Sequence, residues 1–167
     1  MKDKTFTNGG EPDSARLQRE PNAPQRILVV DDDSLIRHLN TTVLIHSGYE
    51  VDTAEDGAAA WEALQVKDFN LLITDHSMPR MTGVELVKKL RSARMSLPVI
   101  LATGTLPLEE LDRNPELQLA AMLPKPFTVK ELLKTVRVVL RATDSASGQC
   151  EPLPDWRSQR PVSSLRL

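Results

Sequence analysis

The stretch that decides the fold is Phe69-Asn70-Leu71-Leu72-Ile73-Thr74-Asp75-His76-Ser77-Met78-Pro79-Arg80-Met81-Thr82-Gly83. A short apolar run, too short for a helix, ends in a carboxylate and then in a turn rich in Pro and Gly, which is how a buried parallel strand reads. Three further runs have the same design. Ile27-Leu28-Val29-Val30 ends in Asp31-Asp32-Asp33, Pro98-Val99-Ile100-Leu101-Ala102 ends in Thr103, and a short fourth run ends in Lys125-Pro126. Four strands that each carry a polar group at the C-terminal end describe one site on the carboxyl edge of a parallel sheet, where open α/β sheets bind and react.

Helical patterns alternate with these runs. The spacing predicts strands over 26–30, 49–54, 69–74, 97–103 and 121–123. Ile36, Leu39, Val43 and Leu44 recur at helical spacing in 34–47, with Gly48 placed to end that helix. Asp56 is placed to N-cap a helix over 57–66 that buries Ala60, Ala63 and Leu64. Thr82 with Glu85, and Thr128 with Glu131, read as capping boxes. The first opens a helix with Leu86, Val87 and Leu90 inward, and the second a helix with Val129, Leu132, Leu133, Val136, Val139 and Leu140 on one face. A weaker helix is expected between 108 and 120, interrupted near Asn114-Pro115. Five βα units in series mean a doubly wound five-stranded parallel sheet with helices on both faces.

Composition sets the bounds. The chain has 167 residues, a formal net charge of −2 and a single cysteine, Cys150, so neither a basic field for nucleic acid nor an internal disulfide is expected. No membrane span or secretory signal is visible, and a reducing, cytoplasmic location is the plain reading. Residues 1–24 and 143–167 are polar and rich in Pro, Ser and Gly, and read as flexible segments around a domain over 25–142. The second segment carries Trp156, Arg157, Arg160 and Arg166. It is too short for an ordinary DNA-binding output domain, so no direct DNA binding is expected.

Asp31, Asp32 and Asp75, brought together, repel one another strongly enough to demand a proton or a cation. Hard carboxylate oxygens with room for water suit Mg²⁺, and Lys125 adds one positive charge. A carboxylate is a competent nucleophile toward phosphorus. The ammonium and the Thr103 hydroxyl can neutralise charge on phosphoryl oxygens. Asp75, on the middle run of the set, is the nucleophile candidate, while Asp31 and Asp32 are placed as metal holders. Simpler roles exist for each group: Asp33 could cap the first helix alone, Thr103 could cap a turn, and His76 is read as pointing away from its neighbour Asp75. A nucleotide-binding Gly-rich loop is absent. A flavin phosphate at the first turn would meet three aspartates.

The set Asp31-Asp32, Asp75, Met78-Pro79-x-Met81-x-Gly83, Thr103 and Lys125-Pro126-Phe127 resembles the receiver domain of two-component response regulators, over nearly all of 26–142. The resemblance implies a flavodoxin-like fold of strand order 2-1-3-4-5. It implies that Asp75 takes a phosphoryl group from a sensor histidine kinase's phosphohistidine, and that Asp32, Asp75 and the Ser77 backbone carbonyl ligate Mg²⁺, with Asp31 acting through water. Thr103 and Lys125 would contact the phosphoryl oxygens, Lys125-Pro126 would be cis, and Ser77 and Thr105 would tune the acyl-phosphate lifetime. Met122 stands where the family has its switch aromatic, and the fourth-helix region is interrupted. Receivers of hybrid sensor kinases are similar. The expectation is a phosphoacceptor that signals by shape and protein contact to a downstream target, with self-phosphorylation and self-dephosphorylation but no turnover of an external substrate. A phosphorelay intermediate or phosphate sink passing the group to a histidine phosphotransfer protein, and a phosphorylation-independent scaffold, are the alternatives.

Overall fold

The four apolar runs become strands because each is long enough to cross a sheet and too short to form a helix, and the more polar Glu50–Ala54 adds a fifth strand at the sheet edge. A computed structural model describes residues 24–105 and 108–146. In chain order the elements are β1 (Arg26–Val30), α1 (Ser34–His46), β2 (Glu50–Ala54), α2 (Gly57–Val66), β3 (Leu71–Asp75), α3 (Gly83–Ser92), β4 (Val99–Thr103), α4 (Leu108–Arg113), β5 (Ala121–Pro124) and α5 (Val129–Ala146). A 3₁₀ turn over Pro115–Leu117 lies between α4 and β5. The strands are parallel in the order β2-β1-β3-β4-β5, the doubly wound, flavodoxin-like arrangement.

Alternation along the strands divides the core in two. Leu28, Val30, Leu72 and Leu101 pack on one face with Ala60 and Leu64 of α2 and Val87 and Leu90 of α3. Ile27, Val29, Leu71, Ile73 and Ile100 pack on the other with Leu44 of α1 and Leu132, Val136 and Val139 of α5. Both faces of the sheet are thereby covered.

The helix starts form as the sequence predicts. The Asp56 side chain accepts from the Ala59 N–H at 2.8 Å, and Asp33 caps α1 through the N–H groups of Leu35 and Ile36. The Thr82–Glu85 box is complete. The Thr82 N–H and hydroxyl hold the Glu85 carboxyl below its usual range, and Thr128 does the same for Glu131. Gly48 follows the α1 cap at φ 91°, a conformation that Gly adopts without a Cβ penalty.

Several expectations need correction. β3 begins at Leu71; just ahead of it Asn70 donates its N–H to the Arg26 carbonyl at 2.8 Å and accepts the Arg26 N–H on its side-chain carbonyl at 2.8 Å. The same strand includes Asp75, so the carboxylate is held by ladder geometry. Leu39 has the apolar spacing of α1 but is 52 % exposed; the buried position one residue on is Asn40. Val129 is also exposed at the start of α5. α5 continues past residue 142 to Ala146. The expected interruption before Pro115 is present: α4 stops at Arg113, and Leu111 and Leu117 are buried on either side of the break. Cys150, Trp156, Arg157, Arg160 and Arg166 lie outside the described residues. No helix among the described residues is long and apolar enough to cross a membrane.

Candidate functional site

β1 and β3 are neighbours, with Val30 beside Thr74, so the residues that follow them, Asp31 and Asp75, emerge side by side. β4 flanks β3 on the other side with Ala102 beside Asp75, which puts Thr103 one residue further along the same edge. β5 places Pro124 beside Thr103 and delivers Lys125 to that edge. The Lys125–Pro126 peptide bond is cis, as the resemblance implies.

The centre is an ammonium between two buried carboxylates. Lys125 Nζ lies 2.9 Å from Asp31 Oδ2 and 2.7 Å from Asp75 Oδ1. Asp31 and Asp75 are only 3 % and 6 % exposed. Burial pushes the Asp31 carboxyl above its ordinary range, against the opposing hydrogen bond and charge of Lys125. Burial opposes the charge on Lys125 as well. The hydrogen bonds and charges of Asp75 and Asp31 outweigh it and raise the amine above the ordinary lysine value.

Backbone donors hold the carboxylates in place. The Ser77 N–H donates to Asp75 Oδ2 at 2.7 Å, and the Asp33 N–H donates to Asp31 Oδ1 at 3.0 Å. The turn after Asp75 closes because Gly83 has no side chain, since a Cβ there would collide with the Asp75 carbonyl oxygen. The Gly83 N–H then reaches the His76 carbonyl at 3.0 Å.

Other candidates are placed less directly. Asp32 is exposed beside the buried Asp31, so the expected trio of carboxylates resolves into a buried pair bridged by Lys125 with a third at the rim. Among the described residues no three His, Cys, Asp or Glu side chains form a ready-made metal cluster. Thr103 is buried at the edge, but its hydroxyl donates to the Thr105 carbonyl at 2.7 Å, within its own loop. Ser77 is exposed at the rim, and the buried His76 Nδ1 has no hydrogen-bond partner. Met122 is half-buried against the α2–α3 side of the core.

Two residues of the site region escaped the sequence reading. Arg37 reaches back from α1, and its Nη1 donates to the Asp31 carbonyl at 2.5 Å and the Asp32 carbonyl at 3.5 Å. Arg80, between Met78-Pro79 and Met81, pairs with Glu55 at 2.7 Å and with the buried Asp56. The available signal was a lone cation one turn into the helix after the acidic loop, and another inside the loop after Asp75.

Oxygen donors, two buried carboxylates, an exposed third and one ammonium leave a net negative pocket that suits a small hard cation. A carboxylate steadied by a backbone N–H and an ammonium can also meet a phosphoryl group, with positive charge already in place.

Known proteins resemble this chain in sequence and fold. The chain is 35 % identical over 129 residues to the response regulator MprA of Mycobacterium sp. (strain KMS), covering 77 % of this chain and 56 % of that protein. It is 37 % identical over 118 residues to MprA of Mycobacterium ulcerans, covering 71 % of this chain and 51 % of that one. The chain thus spans about half the length of these curated relatives. Its fold is similar to the chemotaxis response regulator CheY4 of Vibrio cholerae, with a TM-score of 0.64, 35 % identity, and coverage of 70 % of this chain and 99 % of that one. It is also similar to the response regulator TrrA of Thermotoga maritima, solved in complex with Mg(2+)-BeF, with a TM-score of 0.62, 31 % identity, and coverage of 69 % and 98 %. The profile of the response regulator receiver domain matches residues 27–137. That span runs from the first buried residues of β1 well into α5 and includes every strand that feeds the edge, so the chain belongs to the response regulator receiver domains of two-component systems.

Proposed function

We propose that Asp75 accepts a phosphoryl group from the phosphohistidine of a sensor histidine kinase, and that the chain signals through the resulting change of shape and partner affinity. The observation that carries this reading is Lys125 Nζ, bonded at once to Asp75 Oδ1 and Asp31 Oδ2. An Asp75 oxygen forms the new O–P bond as the N–P bond of the phosphohistidine breaks, and the imidazole leaves with that bond's electron pair. Lys125 then turns from the free carboxylate to a phosphoryl oxygen, keeping its tie to Asp31. The Thr103 hydroxyl gives up the Thr105 carbonyl and donates to a second phosphoryl oxygen, and this exchange releases Thr105 from the end of β4.

The residues fit Mg²⁺: Asp32, Asp75 and the Ser77 carbonyl would hold it, with Asp31 acting through water. When bound, the ion supplies the positive charge that the carboxylates lack and that a phosphoryl group needs. Ser77 and Thr105, at the mouth, would set how readily water reaches the acyl phosphate. The reaction is a single transfer and its hydrolysis, without turnover of an external substrate, and it belongs in the cytoplasm.

The donor has an obvious approach. A groove of about 390 Å³, whose lining includes Ile36, Leu39, Asn40, Lys125, Phe127 and Val129, opens on this side of the molecule. Exposed Leu35 and Leu39 extend it along α1, giving an apolar bed for a helix that carries a phosphohistidine.

Incubation with acetyl phosphate, with and without Mg²⁺, tests the reading by intact mass. One phosphoryl is expected on the wild type with Mg²⁺ and none on Asp75→Asn. A folded wild type that gains nothing overturns it.

A further inference from the structure

The loop between β3 and α3 carries two groups of the proposed site: the Ser77 N–H that holds Asp75 and the Ser77 carbonyl that would face Mg²⁺. Its position is secured from outside by α2. Asp56 is 0 % exposed, and its Oδ1 is spent on the Ala59 N–H as the cap of α2. Its Oδ2 has the Arg80 guanidinium as its partner. Arg80 also binds Glu55, so the loop is tied to both residues just ahead of α2. Next to the tie, the loop backbone lies against α2 itself: a Cβ on Gly57 would come within 2.7 Å of the Met81 carbonyl oxygen.

Arg80 maintains this tie in an unfavourable conformation. Its φ is 65°, in the left-handed region where Gly costs nothing and a long side chain does. Turn chemistry alone would place Gly or Asn there. The guanidinium is what Gly cannot supply: it neutralises a carboxylate that would otherwise lie buried, charged and unpaired.

We infer that Arg80 is a positioning residue for the metal half of the site, acting through the Asp56 tie to hold the Ser77 segment where Mg²⁺ would be bound. The inference rests on the proposed function, and it goes beyond it in assigning a role to a residue that touches neither phosphoryl group nor metal. Residues that orient metal ligands commonly contribute tenfold or more to affinity.

Calorimetric titration with Mg²⁺ alone, without phosphodonor, tests it on the full chain. Arg80→Gly relieves the backbone and removes the tie, so it should stay folded by circular dichroism while Mg²⁺ affinity falls about tenfold. Arg80→Lys, which keeps the charge, should recover part of the loss. In an Asp56→Asn background, where no buried charge needs pairing, Arg80→Gly should cost little more. Unchanged Mg²⁺ affinity in Arg80→Gly, or a full additive loss in the double variant, overturns the inference. Should Arg80→Gly fail to fold, unchanged affinity in both Arg80→Lys and Asp56→Asn overturns it equally. Failure of the underlying reading looks different: the wild type would not bind Mg²⁺, or would bind it as well with Asp32→Asn, and the role of Arg80 would fall with it.

Discussion

Lys125 shows how one side chain reconciles two buried acids. Asp31 and Asp75 lie within 3 Å of its ammonium, and burial raises the Asp31 carboxyl despite that neighbour. The amine itself is raised, because its hydrogen bonds and charge contacts outweigh its desolvation. A raised folded-state pKa means that the folded chain holds this proton more tightly than the unfolded chain. The stabilising contribution is therefore complete below the ordinary lysine value and is lost as pH rises through the folded value. Urea melts above about pH 10 should show a fall in wild-type stability, beyond the general alkaline loss, that Lys125→Met lacks. Equal alkaline losses in the two proteins would refute the linkage. At neutral pH Lys125→Met should be the less stable protein, since it leaves two carboxylates facing each other without a cation.

At the scale of elements, α1 departs most from a simple amphipathic helix. Its buried positions are Asn40 and Leu44, while Leu35, Leu39 and Ile45 face outward. Leu35 and Leu39 are one turn apart, at the spacing that forms a stripe. Exposure of this kind costs little in the folded chain and favours association. Leu39→Glu should therefore leave the melting temperature and acetyl phosphate labelling nearly unchanged, because the side chain is outside the core. Transfer from a phosphorylated histidine kinase to the same variant should slow about tenfold or more, as expected when an apolar anchor is replaced by a charge. Equal transfer rates for wild type and variant would show that the donor docks elsewhere.

For the whole molecule, the decisive property is the convergence of four strand ends on one edge. The arrangement brings three carboxylates and one ammonium to that edge, an excess of negative charge that the fold itself must bear. A cation that binds only the folded state stabilises it by mass action, by about 1.4 kcal/mol at ten times its dissociation constant. Millimolar Mg²⁺ should raise the melting temperature of the wild type and do little for Asp32→Asn or Asp75→Asn. A similar rise in all three would mean that the ion acts elsewhere.

The sequence by itself determined the alternation of strands and helices, the helix caps at Asp56, Thr82 and Thr128, and the grouping of Asp31, Asp75, Thr103 and Lys125 on one edge. These follow from local rules: apolar runs of strand length, capping residues at fixed offsets, and polar groups at strand ends. Strand order and the cis Lys125–Pro126 bond came from resemblance to a family, since no local rule orders strands within a sheet. Only the tertiary structure decided that Asp31 and Asp75 are buried around Lys125 while Asp32 lies at the rim, and that the Thr103 hydroxyl turns to its own loop. It alone put Leu39 outward and joined Arg80 to Asp56 across two loops. Such pairings depend on how neighbouring elements pack and on which groups lose water in doing so, and neither periodicity nor spacing along the chain encodes that.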